Sequence, residues 1–402
     1  MCLGQAIGAN SPFLPRPIQD KFARLFDDAP QIPYSAILSV FQSEFGRPPA
    51  GPDGIFDVFE QDAIASASVA QVHRAKLKSG EWVAVKIQKP DVTKQTEWDL
   101  GAFRMVMWVF ENWMFDLPVY FVVGASSGLV KRVTFITCAD FINSHLRQEL
   151  NFIQEAENAR VTAQFIAKEP RLAGKVHIPK VYPEYSTKKV LTAEWIEGVR
   201  LSDRAAIRKL VGEERQAVIV PDAGVHPSLE GVRLKGGVKS IMQTMVELFS
   251  AQIFSWGWVH SDPHPGNIIV RPHPSNPRYP QLVLLDHGLY VRVTDEFRRE
   301  YATLWRALLA ADWDAIERVT TSWGIGTPDL FASATLMRPV SYGKKNKGGN
   351  GSGNGNGADV QALNQYEQSV QMKAKLKGFL LDTDKMPKEL IFLGRNMRQV
   401  PT

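Results

Sequence analysis

VHSDPHPGN at 259–267 and LLDHG at 284–288 set three oxygen-bearing side chains in a fixed order between apolar runs. Asp262 and Asn267 stand five residues apart on a Pro-rich loop, and Asp286 precedes a glycine at the end of an apolar strand. That order is the pattern of a metal–phosphate site. Asp262 is placed to orient or deprotonate a nucleophile. Asn267 and Asp286 offer hard oxygens to Mg²⁺, which prefers such ligands and keeps phosphate in its shell. Phosphoryl transfer asks for little beyond charge neutralisation and positioning. The bland alternative is a Pro-rich turn with incidental polar residues, and it leaves the flanking strands NIIV (267–270) and QLVLLD (281–286) as coincidence.

Upstream, WVAVKIQ at 82–88 puts Lys86 inside an apolar strand, where an ammonium group needs a partner to offset its desolvation. Such a lysine, ahead of an Asp/Asn/Asp set, fits one that contacts α/β phosphates and a helix glutamate. Glu155 is the expected partner, with Glu149 and Glu157 as competitors on a polar helix expected over 145–165. Over the phosphates the chain offers AIASASVAQVH (63–73), with no glycine between Gly54 and Gly80. Small residues allow close backbone approach, but Ala and Ser lack glycine's access to positive φ, so a stiffer loop is expected. A plain small-residue strand competes with that reading.

Around these motifs the pattern alternates between helix and short strand. Ser35 to Phe45 has helical spacing and ends at Gly46 and Pro48-Pro49, and 17–26 is a further helical stretch. IFDVFE, VAQVHRAKL and WVAVKIQ read as a small antiparallel sheet with a tight turn at Ser79-Gly80. IPKVYPEY (178–185) and KKVLTAEWI (188–196) read as two more strands, 98–115 and 238–254 as helices, and 295–321 as further helices. Gly343 to Gly357 is a Gly/Asn-rich stretch that cannot pack and reads as a flexible loop.

The 402 residues are long enough for a sizeable core, and 44% hydrophobic with 22% charged is ordinary for a soluble protein. A net charge of +5 without a Lys/Arg run gives no reason to expect a nucleic-acid partner. Cys2 and Cys138 have neither metal spacing nor a disulfide framework. No run reaches the roughly 18 apolar residues of a transmembrane helix, and the first residues are neither a secretory signal nor an Arg-rich transit peptide.

Together, ASxAQVH, AVKIQ, the QEL–EAxN helix and VHSDPHPGN resemble the UbiB-type, aarF-domain-containing atypical kinases over nearly the whole chain. EWIEG, DHGLY and PKELIFLGRNMR are most similar to a mitochondrial subgroup associated in fungi with coenzyme Q distribution and lipid homeostasis. The resemblance implies an α+β, protein-kinase-like bilobal fold with ATP and Mg²⁺ as cofactors. It implies an N-terminal helical extension at 1–53, a small lobe at 54–193 and a large lobe at 194–342. The flexible loop then covers 343–357, and 358–402 is a C-terminal helical part that breaks off early. Lys86 and Glu155 would form the small-lobe ion pair, Asp262 would be the catalytic-loop Asp, and Asn267 and Asp286 the metal ligands. Ala65, Ser66, Ala67, Ser68, Val69 and Ala70 would replace a Gly-rich loop. Glu194, Trp195 and Ile196 would lie in a hinge (194–197) that reads adenine through backbone groups. Gln5 and Glu149 would belong to a regulatory extension that covers the site against protein substrates. A lipid or quinone-like small molecule and a membrane surface are the implied partners, and the mitochondrial inner membrane the implied location. A small-molecule or protein kinase, or a non-catalytic nucleotide-gated lipid-binding scaffold, are the alternatives.

The chain departs from that pattern in four ways. Cys2 stands at the lysine of the KxGQ signature, so the chain is expected to begin inside it, without its targeting region. Asn151 stands where an aspartate is usual two residues after Glu149, and His287 where kinases carry Phe. The 16 residues from Gly124 to Ala139 interrupt a junction that usually runs straight through. They are expected to be a translated intron, which a transcript reading across this point would test.

Overall fold

The computed structural model describes residues 30–67, 69–90, 150–213, 233–325 and 328–336, together with the single positions 92, 98, 101, 105, 389, 390 and 393. Gln5, Ser68, Glu149, the segment 124–139, the stretch 17–26, most of 98–115 and the loop 343–357 lie outside the described residues. The fold is α+β, and the chain divides into two compact units with a boundary between Val293 and Thr294.

The described part of the first unit begins with helix α1 (Tyr34–Phe45), which stops where Gly46 takes a left-handed φ of 66° and its N–H caps the Gln42 carbonyl. Strands β1 (Val58–Phe59), β2 (Ala65–Ser66), β3 (Ala70–Lys76), β4 (Trp82–Gln88) and β6 (Val190–Glu194) make one antiparallel sheet in the order β1-β3-β4-β6, with β2 beside β3. The β3–β4 connection turns at Gly80, whose φ of 94° suits a residue without Cβ. Alternation along β4 sends Val83, Val85 and Ile87 to a fully buried face against Ile37 and Phe41 of α1. Phe41 meets Phe45, Phe56 and Phe59 there at centroid distances of 5.6–6.1 Å. Burying a Phe side chain of this kind contributes about 2–3 kcal/mol. The same alternation leaves Ala84 and Lys86 on the opposite face.

Of the expected strands, IFDVFE pairs only through Val58 and Phe59. IPKVYPEY is not a strand: Val181 makes a single bridge to Ala193, and Pro183–Tyr185 is a 3₁₀ turn. Pro179 and Pro183 have no N–H to give a ladder, which is why the pairing stops. The strand there is the shorter β5 (Val176–His177), parallel to β10 (Asn276–Leu284).

A second sheet runs β5-β10-β9-β7, with β9 at Ile268–His273 and β7 at Val199–Arg200. Helix α2 (Phe152–Ala167) buries Phe152, Glu155, Asn158, Ala159, Thr162 and Ile166, a stripe at helical spacing. Helices α3 (Arg204–Val211) and α4 (Gly237–Ser250) complete its core, through Leu210, Ile241, Met245 and Leu248. α4 runs on as a π-helical turn over Ala251–Trp256 before β8 (Trp258–His260), which pairs with β11 (Tyr290–Arg292). Among the described residues no helix is long and apolar enough to cross a membrane.

The described part of the second unit contains α5 (Asp295–Ala310), α6 (Trp313–Ser322) and α7 (Pro328–Leu336). Thr294 and Asp312 cap the first two by accepting from Phe297 and Ala315 N–H. Phe297, Tyr301 and Trp323 stack at the centre, with the Trp323 indole donating to Glu300 Oε2 at 2.6 Å.

Fully buried His73 stacks on Phe59 at 5.0 Å and is held neutral in the first sheet. Gln71 Oε1 already accepts from Ile32 N–H, so its amide donates to His73 Nε2, leaving Nδ1–H for the Glu60 carbonyl. Burial lowers the pKa of His73 from the ordinary histidine value. The unfolded chain therefore takes up a proton that the fold refuses, and stability falls as pH drops below 6.5. The expected slope is up to about 1.4 kcal/mol per pH unit. Urea unfolding at pH 7 and pH 5 checks it, with His73→Gln giving a flatter dependence; equal slopes in both proteins would remove His73 as the cause.

Candidate functional site

Lys86 leaves the non-core face of β4 and is met from two sides. Its Nζ lies 2.8 and 2.9 Å from the two oxygens of Glu155 and 3.4 Å from Asp286 Oδ2. Glu155 projects from the buried stripe of α2, while Glu157, on the exposed side, pairs with Arg160 at 2.6 Å. Glu149 lies outside the described residues. Burial raises the Glu155 carboxyl, and the Lys86 ammonium facing both of its oxygens works against that shift; the contact is an ion pair. Burial alone would lower the lysine, but the Asp286 and Glu155 carboxylates outweigh it and hold the ammonium protonated above the usual lysine range. Burial also pushes Asp286 up; Lys86 and the Gly288 N–H, donating to Oδ1 at 2.8 Å, bring it down to about 2.

His260 joins the two loops. Asp262 N–H donates to its Nδ1 at 3.0 Å, which fixes the proton on Nε2, and Nε2–H donates to the Asp286 carbonyl at 3.0 Å. The His260 amide is itself held by Gln252 Oε1, presented from the π-helical turn. Within the loop 261–267 His264 N–H bonds the Asp262 carbonyl, and Asn267 N–H bonds the His264 carbonyl. Leu285 N–H then bonds the Asn267 carbonyl at 2.9 Å, so Asn267 and Asp286 are carried on neighbouring backbone segments. Burial lowers His260, and lowers His287 to about 3, so both rings are neutral. His287 bonds Tyr290 Oη and the Leu284 carbonyl, and Asn158 Nδ2 donates to the His287 carbonyl. Helix α2 is thereby tied to the Asp286 segment at a second point, one turn beyond Glu155.

Asn267 and Asp286 supply an amide oxygen and an ionised carboxylate, a donor set that suits Mg²⁺. Among the described residues no group of three or more His, Cys, Asp and Glu side chains is arranged for a metal. A cation here would draw its remaining ligands from phosphate and water.

Ala67 and Val69 lie between β2 and β3, where Ala67 N–H bonds the Ala70 carbonyl at 2.9 Å. Ser66 is buried and its hydroxyl donates to the Pro30 carbonyl, which Lys89 Nζ also grips. The loop is tied to the segment before α1. In the segment 194–197, expected to be a hinge, Glu194 N–H is spent on the Lys180 carbonyl and Trp195 N–H on the Trp82 carbonyl. Asn151 opens α2 with a buried Oδ1 that has no hydrogen-bond partner among the described residues. The sequence reading gave no role to His260, Gln252 or Asn158, and named His287 only as a departure from Phe. Gln252 and Asn158 were detectable as polar residues at core positions of helices.

The family model for the ABC1 atypical kinase-like domain matches residues 24–320. The ABC1 family protein lscO of Purpureocillium lilacinum is 38% identical over 404 residues, covering 98% of this chain and 63% of that protein. AarF domain-containing kinase 1 of Drosophila melanogaster is 33% identical over 339 residues, covering 84% of this chain and 56% of that one. The chain thus spans only part of the length of these relatives. Among solved structures, the complex of Rv3197 with erythromycin from Mycobacterium tuberculosis matches with a TM-score of 0.51 at 20% identity, covering 95% of this chain and 88% of that one. At that identity the shared property is the fold.

Proposed function

Because the chain belongs to the ABC1 atypical kinase-like family, we propose that it binds Mg–ATP at Lys86, Glu155, Asp262, Asn267 and Asp286 and turns it over as an atypical kinase or ATPase. The observation that carries this reading is Lys86 Nζ held between Glu155 and Asp286 at 2.8 and 3.4 Å. A fixed ammonium beside a carboxylate near pKa 2 is the charge arrangement that phosphates with a divalent cation require. Lys86 neutralises phosphate charge, Glu155 orients Lys86, and Asp262 orients or deprotonates the attacking group. Asn267 and Asp286 would hold Mg²⁺, which supplies the remaining charge neutralisation. The tip at 65–70 would cover the phosphates, and the segment at 194–196 would border the base.

We extend the proposal to the biological setting that the sequence resemblance implies. The substrate class is a lipid or quinone-like molecule, the setting the mitochondrial inner membrane, and the role coenzyme Q distribution and lipid homeostasis. Gln5 and Glu149 would act in a covering extension. The test is nucleotide turnover on liposomes, with and without quinone-like phenols. The expected result is Mg²⁺-dependent turnover, raised several-fold by phenol and membrane together. Turnover indifferent to both would remove the lipid setting. A phosphorylated phenol or protein would convert the reading to phosphoryl transfer with Asp262 as base. Lipid bound equally by wild type and Asp286→Asn, without turnover in either, would favour a scaffold.

A further inference from the structure

The hinge contains an ionic cluster that the phosphate site does not use. Strand β6 ends at Glu194, and five residues later the chain enters β7 of the second sheet. The Glu194 carboxylate turns away from Lys86 by strand alternation, since Glu194 pairs with Val83 on the core-facing register of β4. It is met by three groups of the second sheet and its approach. His177 Nε2–H, on β5, donates at 2.8 Å; the Lys180 amide donates at 3.2 Å; and the Arg271 guanidinium, on β9, lies at 3.8 Å. Arg271 is fixed in turn by its Nε–H to Gln281 Oε1 on β10, and Gln281 Nε2 by the Gly174 carbonyl, both at 2.9 Å. Burial raises Glu194, and the His177 hydrogen bond with the Lys180 amide more than reverses it, so the carboxyl is ionised. Glu194 is about a third exposed and Arg271 only 14%, so the charges are partly shielded from screening. At the far end of the same segment, Gly198 is pressed on β9: a Cβ there would meet the Ile269 side chain and come within 2.9 Å of the Val270 carbonyl. The segment is pinned at both ends.

The two sheets that this segment joins hold opposite halves of the site. Lys86 rides on β4, one strand from Glu194, whereas Asn267 immediately precedes β9 and Asp286 follows β10 by two residues. We propose that Glu194, His177 and Arg271 form a hinge clamp, with Glu194 as a positioning residue that sets the separation of Lys86 from Asp286 and limits nucleotide release. This assigns the Glu194 side chain to the hinge itself and leaves base contact to the backbone beyond it. The clamp needs no nucleotide to exist, so only its consequence for release rests on the proposed function.

Two measurements on the whole chain test it, using Glu194→Gln, Arg271→Met and the double variant. In nucleotide-free protein, hydrogen exchange of the Glu194 and Trp195 amides is expected to quicken about tenfold in each single variant. The double variant is expected to add little more, because either change opens the same cluster. Unchanged exchange, or additive effects, overturns the clamp. Stopped-flow release of a fluorescent ATP analogue with Mg²⁺ is expected to quicken at least fivefold in Glu194→Gln, with kcat changed less than KM. Quickened exchange with unaltered release would make the cluster a local structural contact and overturn the positioning role. Wild-type protein that binds no nucleotide would instead defeat the proposed function, while the exchange data still decide the clamp. Melting temperatures within a few degrees of wild type show that the variants are folded; if Glu194→Gln is not, Arg271→Met carries both measurements.

Discussion

Asp286→Asn lowers Mg²⁺-dependent nucleotide turnover by roughly 10³-fold, about 4 kcal/mol of transition-state stabilisation, and leaves the protein folded. The fold survives because the replacement keeps what the fold uses. An amide oxygen still accepts from the Gly288 N–H, and the group that His260 grips is the backbone carbonyl of residue 286. The lost element is one negative charge, 3.4 Å from Lys86 and ionised at any physiological pH. Without it the Asn267–286 pair presents two neutral amides, which hold Mg²⁺ poorly against water. Turnover measured across a Mg²⁺ series, with thermal melting of the same sample, checks both halves. Turnover within tenfold of wild type at every Mg²⁺ concentration removes Asp286 from the metal role.

Glu155→Ala acts on stability and activity together. It leaves the Lys86 ammonium facing Asp286 alone, beside a vacated volume next to Phe152, whose ring lies 5.1 Å from Nζ. Removing one member of a buried pair costs about 3–5 kcal/mol; because a quarter of the Lys86 side chain is exposed, about 2–3 kcal/mol is expected. Turnover falls by roughly 10² because Lys86 is no longer oriented. The double variant Lys86→Met/Glu155→Leu separates the two effects: it removes the ammonium and fills the vacated volume, but leaves the Asp286 carboxylate without its counter-charge, so it regains only part of the stability, while turnover stays lost. Chemical unfolding of the three proteins measures this. A double variant less stable than Glu155→Ala would show that the pair contributes net stability of its own.

The elements closest to the site were the most legible. The apolar run 82–88 put Lys86 inside a strand, where a period of two leaves only two faces; the burial of Val83, Val85 and Ile87 decides which one it takes. NIIV and QLVLLD marked two strands, though not their pairing or the start of β10 at Asn276, and Gly46 with the two prolines after it marked the end of α1. IPKVYPEY misled because apolar alternation outweighed the two prolines that interrupt its ladder. Glu155 was the expected partner and is the one Lys86 meets, but Glu149 and Glu157 competed with it because a helix without strong amphipathicity does not itself reveal which side is turned inward.

Residue types and spacing were enough to establish an α+β chain that carries a lysine strand, an Asp–Asn loop and an Asp–Gly turn in that order, because these depend on local periodicity and on the chemistry of phosphate. Tertiary structure alone decided what those groups face. It brought Lys86 to Glu155 across 69 residues and to Asp286 across 200, made His260 the link between two loops, and set Glu194 against His177 and Arg271. Distances of that kind arise from how two sheets and a helix pack, and no local pattern in the chain encodes them.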